Sequence, residues 1–154
     1  MDTDHHYRLQ MIYNGKAWFG KNIEETLTGI TEAEAAIHLP GCHCSIYDLL
    51  YHMIAWKKFA IEKFRGNEEY AIDENSDQNW PKSKRQKWSQ LVEDFNAVQE
   101  ELAAIFESIR KADLDSRTPG AHFSLLKLAD GIIHHNMYHI GQIALIMNII
   151  RNKQ

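Results

Sequence analysis

His135 and His139 stand four residues apart. On a helix both imidazoles leave the same face and can hold one metal ion between them. The apolar residues around them, Leu125, Leu128, Ile132, Ile146 and Ile149, run in three- and four-residue steps that pass through His135, His139 and Gln142, so the pair sits on a core-facing seam. His52, far away in the chain, falls in the stripe Leu49, Met53, Trp56, Ala60 and can face inward as a third nitrogen. Taken singly, each is a buried histidine satisfied by hydrogen bonds. Taken together, three neutral imidazoles in an apolar interior each leave a ring nitrogen in need of a partner, and a divalent metal ion satisfies all three. Three ligands leave coordination positions open, the pattern of a catalytic rather than a closed structural site. Water or a substrate thiol can take those positions, so hydrolysis and thiol transfer are both accessible. The alternative is a structural metal that staples the helices of a protein whose role is to bind a partner or small molecule.

The elements that must position these residues read as helices. Tyr7 to Leu27 divides at Gly15 and Gly20 into a short amphipathic piece (Leu9, Ile12, Tyr13) and a second around Ile23 and Leu27. Ser45 with Asp48 three residues on forms a capping-box pattern opening a helix that runs to Phe64. A charged connection, Arg65 to Lys82, leads to Ser83, which can cap a long helix carrying Trp88, Leu91, Phe95, Val98, Leu102, Ile105 and Ile109. After Pro119-Gly120, Ser124 can cap a last helix continuing to about Arg151. Strand signals are lacking, and the expectation is an all-α fold, a four-helix bundle formed by one domain over residues 1–154. A di-iron bundle calls for Glu three residues before the histidines, and none stands there.

The 154 residues carry 17 Lys+Arg against 21 Asp+Glu, a net charge of -4, which argues against nucleic acid or an anionic membrane surface as partner. The longest apolar run, Ile143 to Ile150, is interrupted by Asn148 and falls well short of the roughly 20 residues a bilayer requires. The opening residues lack the basic and apolar regions of a signal peptide, and Cys42 and Cys44 stand too close for an easy disulfide. Both points favour a cytoplasmic location.

Ser45-Ile-Tyr-Asp-Leu-Leu-Tyr-His52 and His135-Asn-Met-Tyr-His139-Ile-Gly-Gln142 resemble the two signature helices of the DinB/YfiT-like superfamily. Gly15-Lys-Ala-Trp-Phe-Gly20 and Asn79-Trp80-Pro81 are similar to further elements of that family, so the resemblance covers nearly the whole chain. It implies a four-helix bundle, commonly a homodimer, with a divalent metal, often zinc or nickel, on three histidines that correspond to His52, His135 and His139. Better-understood relatives use the open positions to activate a low-molecular-weight thiol such as bacillithiol or mycothiol in S-transfer and isomerisation. Phe19 departs from the pattern, since similar sequences often carry a polar or histidine residue after the Ala-Trp pair, and that segment is assigned no ligand or substrate role.

Other residues carry weaker signals. His134 and Tyr138 flank the pair as packing or dimer contacts, or as hydrogen-bond donors to the ligating residues or proton shuttles; Gln142 either holds a bound water or ligand or is a core amide. Trp56 forms a pocket wall or plain core. Cys42-His43-Cys44 has zinc-ligand types but no second pair to complete a site, which leaves a substrate-contact or redox role. His5 and His6 read as surface or mobile residues, and His38 and His122 as loop residues. Lys82, Lys84, Arg85 and Lys87 cluster where positive charge opposes the dipole of the third helix. Gly141 permits close approach of a second helix.

Overall fold

The computed structural model describes residues 4–18, 20–82 and 86–152. Phe19, and Ser83, Lys84 and Arg85 at the expected start of the third helix, lie outside the described residues. Among those described, the helices are α1 (His5–Tyr13), α2 (Ile23–Leu27), α3 (Glu32–Ala35), α4 (Ile46–Phe64), α5 (Trp88–Ser108), α6 (Lys111–Leu114) and α7 (Leu125–Asn152). The sole β contact among them is an isolated bridge between Arg117 and Ser124, so the chain is all-α as expected.

Local chemistry sets where these helices begin. At α4 the Ser45 Oγ accepts from the Asp48 N–H at 3.2 Å and the Asp48 carboxylate accepts from the Ser45 N–H at 2.8 Å, the reciprocal capping box read from the sequence. Ser124 Oγ accepts from the Lys127 N–H at 3.3 Å at the start of α7. Two further boxes, Asn22 with Glu25 and Thr31 with Glu34, open α2 and α3. The α5 helix begins only at Trp88, after a Lys87 cap position that offers no side-chain bond. Its Trp88 N–H instead donates to the Glu32 carboxylate at 3.3 Å. A distant residue thereby supplies the negative charge that the first turn of α5 lacks.

The long helix α4 packs against α5 and α7, and α1 packs against the same two. Because α1 is short, α2 also packs on α7 and shares the fourth wall. Leu9, Leu49, Leu50, Met53, Phe95, Leu102, Ala129 and Ile143 fill the centre. On α5 the periodicity shifts near its end: Phe106 is buried, while Ile105 and Ile109 are half-buried.

The histidines of α1 pack against the fold rather than standing exposed. His5 is buried, with Nε2 3.3 Å from Asp130 and its ring edge-on to Phe106, and His6 Nδ1 donates to the Ala103 carbonyl at 3.0 Å. These contacts fasten the start of the described chain to α5 and α7. At the other side of the fold, Gly120 has φ +68° and its missing Cβ would stand 2.4 Å from the Glu68 carbonyl oxygen, so only glycine fits the turn before α7. Lys63 Nζ donates to the Asn67 and Glu68 carbonyls at 3.0 and 2.9 Å, holding the end of α4 to the connection that leads over the site.

Candidate metal centre

Where α4 packs on α7, His52, His135 and His139 come together as the spacing predicts, with one ring nitrogen from each inside a span of 4.8 Å. His52 and His139 are 6% exposed and His135 somewhat more. The Nε2 atoms converge: His135 Nε2 lies 3.0 Å from that of His52 and 3.1 Å from that of His139. Nitrogens sharing a tetrahedral zinc-type ion sit about 3.3 Å apart.

The opposite ring nitrogens decide the tautomers. His52 Nδ1 faces the Asn79 carbonyl at 3.3 Å and His139 Nδ1 faces Gln142 Oε1 at 2.7 Å. Carbonyl oxygens only accept, so both Nδ1 atoms carry the proton and both Nε2 atoms present lone pairs to the centre. His135 Nδ1 is buried without a partner. If His135 carries its proton on Nε2, it can satisfy only one of the two lone pairs facing it; if on Nδ1, three lone pairs meet and a buried donor goes unpaired. Burial, then the charge that His139 would carry, holds His52 down to about 4 and His135 to about 3, and burial also lowers His139. At neutral pH the trio is therefore a neutral three-nitrogen donor set, and it fits a divalent cation.

The surroundings fix these rings. Trp80 stacks on His52 with centroids 4.0 Å apart and planes 8° from parallel, and Tyr138 meets His139 edge-on at 4.9 Å. Asn79 joins the parts: its carbonyl accepts from His52, its Oδ1 accepts from Trp56 Nε1 at 3.0 Å, and its Nδ2 donates to the Glu74 carbonyl at 2.8 Å. Asn79 and Trp80 were not among the site residues expected from the sequence; the available signal was the Asn79-Trp80-Pro81 segment itself. Trp56 is a pocket wall, and Gln142 orients His139 through its Oε1. His134 is exposed.

A family profile described as the DinB superfamily matches residues 17–143, a span that holds all three histidines. The chain is a member of the DinB superfamily. No curated protein and no solved structure matches it. As in the resemblance read from its motifs, this DinB protein has its two signature helices, α4 and α7, meeting at the histidine trio.

Beyond the trio, the DinB chain has a cleft of about 440 Å³ walled by Trp80, Pro81, His38, His43, Cys44 and Asp48. Among the described residues no metal-capable cluster includes Cys42, His43 or Cys44. Burial, followed by the Asp48 charge, pushes the Cys44 thiol up, away from thiolate. His38 lies 3.0 Å from Asp48 and His122 bonds Arg117 at 2.9 Å, both in connections as expected. Lys82 pairs with Asp77 at 3.1 Å. Among the described residues no helix is long and apolar enough to cross a membrane.

Proposed function

We propose that this protein is a metal-dependent enzyme in which His52, His135 and His139 hold a divalent ion, zinc or nickel, that activates a low-molecular-weight thiol or water against a small electrophile. The observation that carries the reading is the tautomer pattern: Asn79 and Gln142 turn two Nε2 lone pairs inward, and the third ring has no hydrogen-bond arrangement that satisfies both. A bound ion would supply Lewis acidity, lowering the pKa of the group that shares it. The chain's own residues do the rest. Asn79 and Gln142 hold the ring orientations, Trp80 and Tyr138 shield two of the rings, and burial keeps all three imidazoles neutral and ready to bind. Partners on this reading are small molecules rather than nucleic acid or membranes, and the working form is a homodimer in the cytoplasm.

Elemental analysis of untagged protein beside His52→Ala, His135→Ala and His139→Ala tests the ligand set: near-stoichiometric metal in the wild type and loss in each folded variant is expected. Titration of the cobalt-loaded protein with a thiol then separates the enzyme from a stapled bundle. A changed visible spectrum means that thiol reaches the ion. A spectrum indifferent to thiols and to imidazole would assign the metal a structural role and leave the protein a binding function.

A further inference from the structure

A second groove, of about 200 Å³, begins at His135 and runs along α7. Its aromatic walls are Trp56, Phe59 and Phe123, all half-buried. Along its length Lys127, Gly131 and His135 follow one another every fourth residue, so they line one strip of the helix about 12 Å long. The groove thus connects a ligand of the candidate metal centre to a surface lysine across an apolar bed.

Gly131 is the decisive residue. Glycine weakens a helix interior relative to alanine, and here the fold gives no reason for it. Its φ is not positive, and nothing lies within 4 Å of the place where a Cβ would stand. Gly120 makes the contrast, since there a Cβ would strike the Glu68 carbonyl. At Gly131 a side chain would meet only the space of the groove. Keeping that space open has a use if something lies in it.

At the far end, Lys127 is exposed, and among the described residues its ammonium has neither a carboxylate nor a hydrogen-bond partner; only its backbone N–H is engaged, with Ser124. Trp56 Nε1 is already satisfied by Asn79, so the middle of the groove offers an occupant apolar contact.

We propose that this groove is the subsite for the apolar arm of the substrate: an alkyl or aryl acid of medium length, its anionic end at Lys127, its body over Gly131 between the aromatic walls, and its reactive end at the histidines. This rests on the enzyme reading above and names the class of substrate. With its carboxylate at one end and a terminal sulfur at the other, a chain of about eight carbons approaches the length of the strip from His135 to Lys127.

The test has two arms. On metal-free protein, octanoate binding is followed by tryptophan fluorescence and calorimetry. Wild type is expected to bind it, Gly131→Leu to lose about tenfold or more in affinity without any fall in Tm, and Lys127→Ala to lose affinity for octanoate but not for 1-octanol. On cobalt-loaded protein, 8-mercaptooctanoate is expected to perturb the spectrum at concentrations about 10–100-fold lower than 3-mercaptopropionate, a preference that Gly131→Leu abolishes. Octanoate binding unchanged by Gly131→Leu overturns the proposal. So does a wild type that ignores octanoate while Gly131→Leu turns a dimer into a monomer, because the glycine then serves contact between copies. If the protein takes no metal yet octanoate binds with the expected pattern, the groove stands and the enzyme reading falls; if metal loads and thiols reach it with no preference for chain length, the enzyme reading stands and the groove falls.

Discussion

His139 reaches the centre with its Nδ1 proton committed to Gln142 at 2.7 Å, and a bond of this kind both orients the ring and strengthens Nε2 as a donor. Gln142→Leu is expected to leave α7 intact and to weaken metal binding about 10–100-fold in competition titrations against a chelator. Unchanged affinity would mean that its edge-on contacts with the neighbouring rings alone hold it. Lys57 tests electrostatics beside the trio, since its charge also acts to lower His135. It is wholly buried, its ammonium donates to Gln99 Oε1 and lies 4.9 Å from the centre of the Phe95 ring, and among the described residues no carboxylate compensates it. Desolvation brings it from 10.5 down to about 7. Between these values the unfolded chain binds a proton that the folded chain does not, so stability contributed at this site rises with pH across that window and is level below it, where both states are charged. Lys57→Met is expected to raise stability at pH 7 by about 2–4 kcal/mol, less than the full linkage because Gln99 Oε1 loses its donor. The gain shrinks toward pH 10, as urea denaturation at both pH values would report; a gain that does not depend on pH would show that Lys57 stays protonated in the fold.

Among the elements, α4 and α7 carry the histidines, and their starts are where sequence chemistry is most local. Ser45→Ala removes the acceptor for the Asp48 N–H and is expected to cost about 1 kcal/mol, measured as a lower urea midpoint with an unchanged slope; no shift would mean that α4 is fixed by packing alone. Both ends of α4, the seam of α7 and the inward turn of His52 were legible because each depends on residues three or four apart. What was not legible depends on distant pairs. The start of α5 at Trp88 follows from Glu32, across 56 residues. The burial of His5 follows from Asp130, 125 residues away. Asn79 and Trp80 lie in a connection without periodicity, where no spacing rule shows that they fold over His52. Lys57 was hidden for another reason: its residue type points to solvent, and only the packing of α4 on α5 makes it core.

For the molecule as a whole, the trio joins parts of the chain that little else brings together in sequence, since His52 and His135 are 83 residues apart. A ligand that binds only the folded state stabilises it by mass action, about 4 kcal/mol at a thousandfold excess over Kd. Metal loading is therefore expected to raise Tm by several degrees, and His52→Ala to lose that response while keeping the helical signal of the wild type. On amides that exchange by local opening the effect is expected to be local. At its far end α7 is held without the trio, by Arg151 donating to Glu34 at 3.0 Å and to the Gly29 carbonyl at 2.9 Å, so amides there gain little protection from metal. Around the site the connection that carries Asn79 and Trp80 is tied down through His52 and Trp56, and fixing His52 on an ion fixes that connection too. Hydrogen exchange with and without metal is expected to slow exchange around residues 52–56, 74–80 and 135–142 and to leave the end of α7 unchanged. Equal slowing of the locally opening amides in every helix would instead mark an ion that staples the whole fold, and with it a site built for stability rather than for exchange of a fourth ligand.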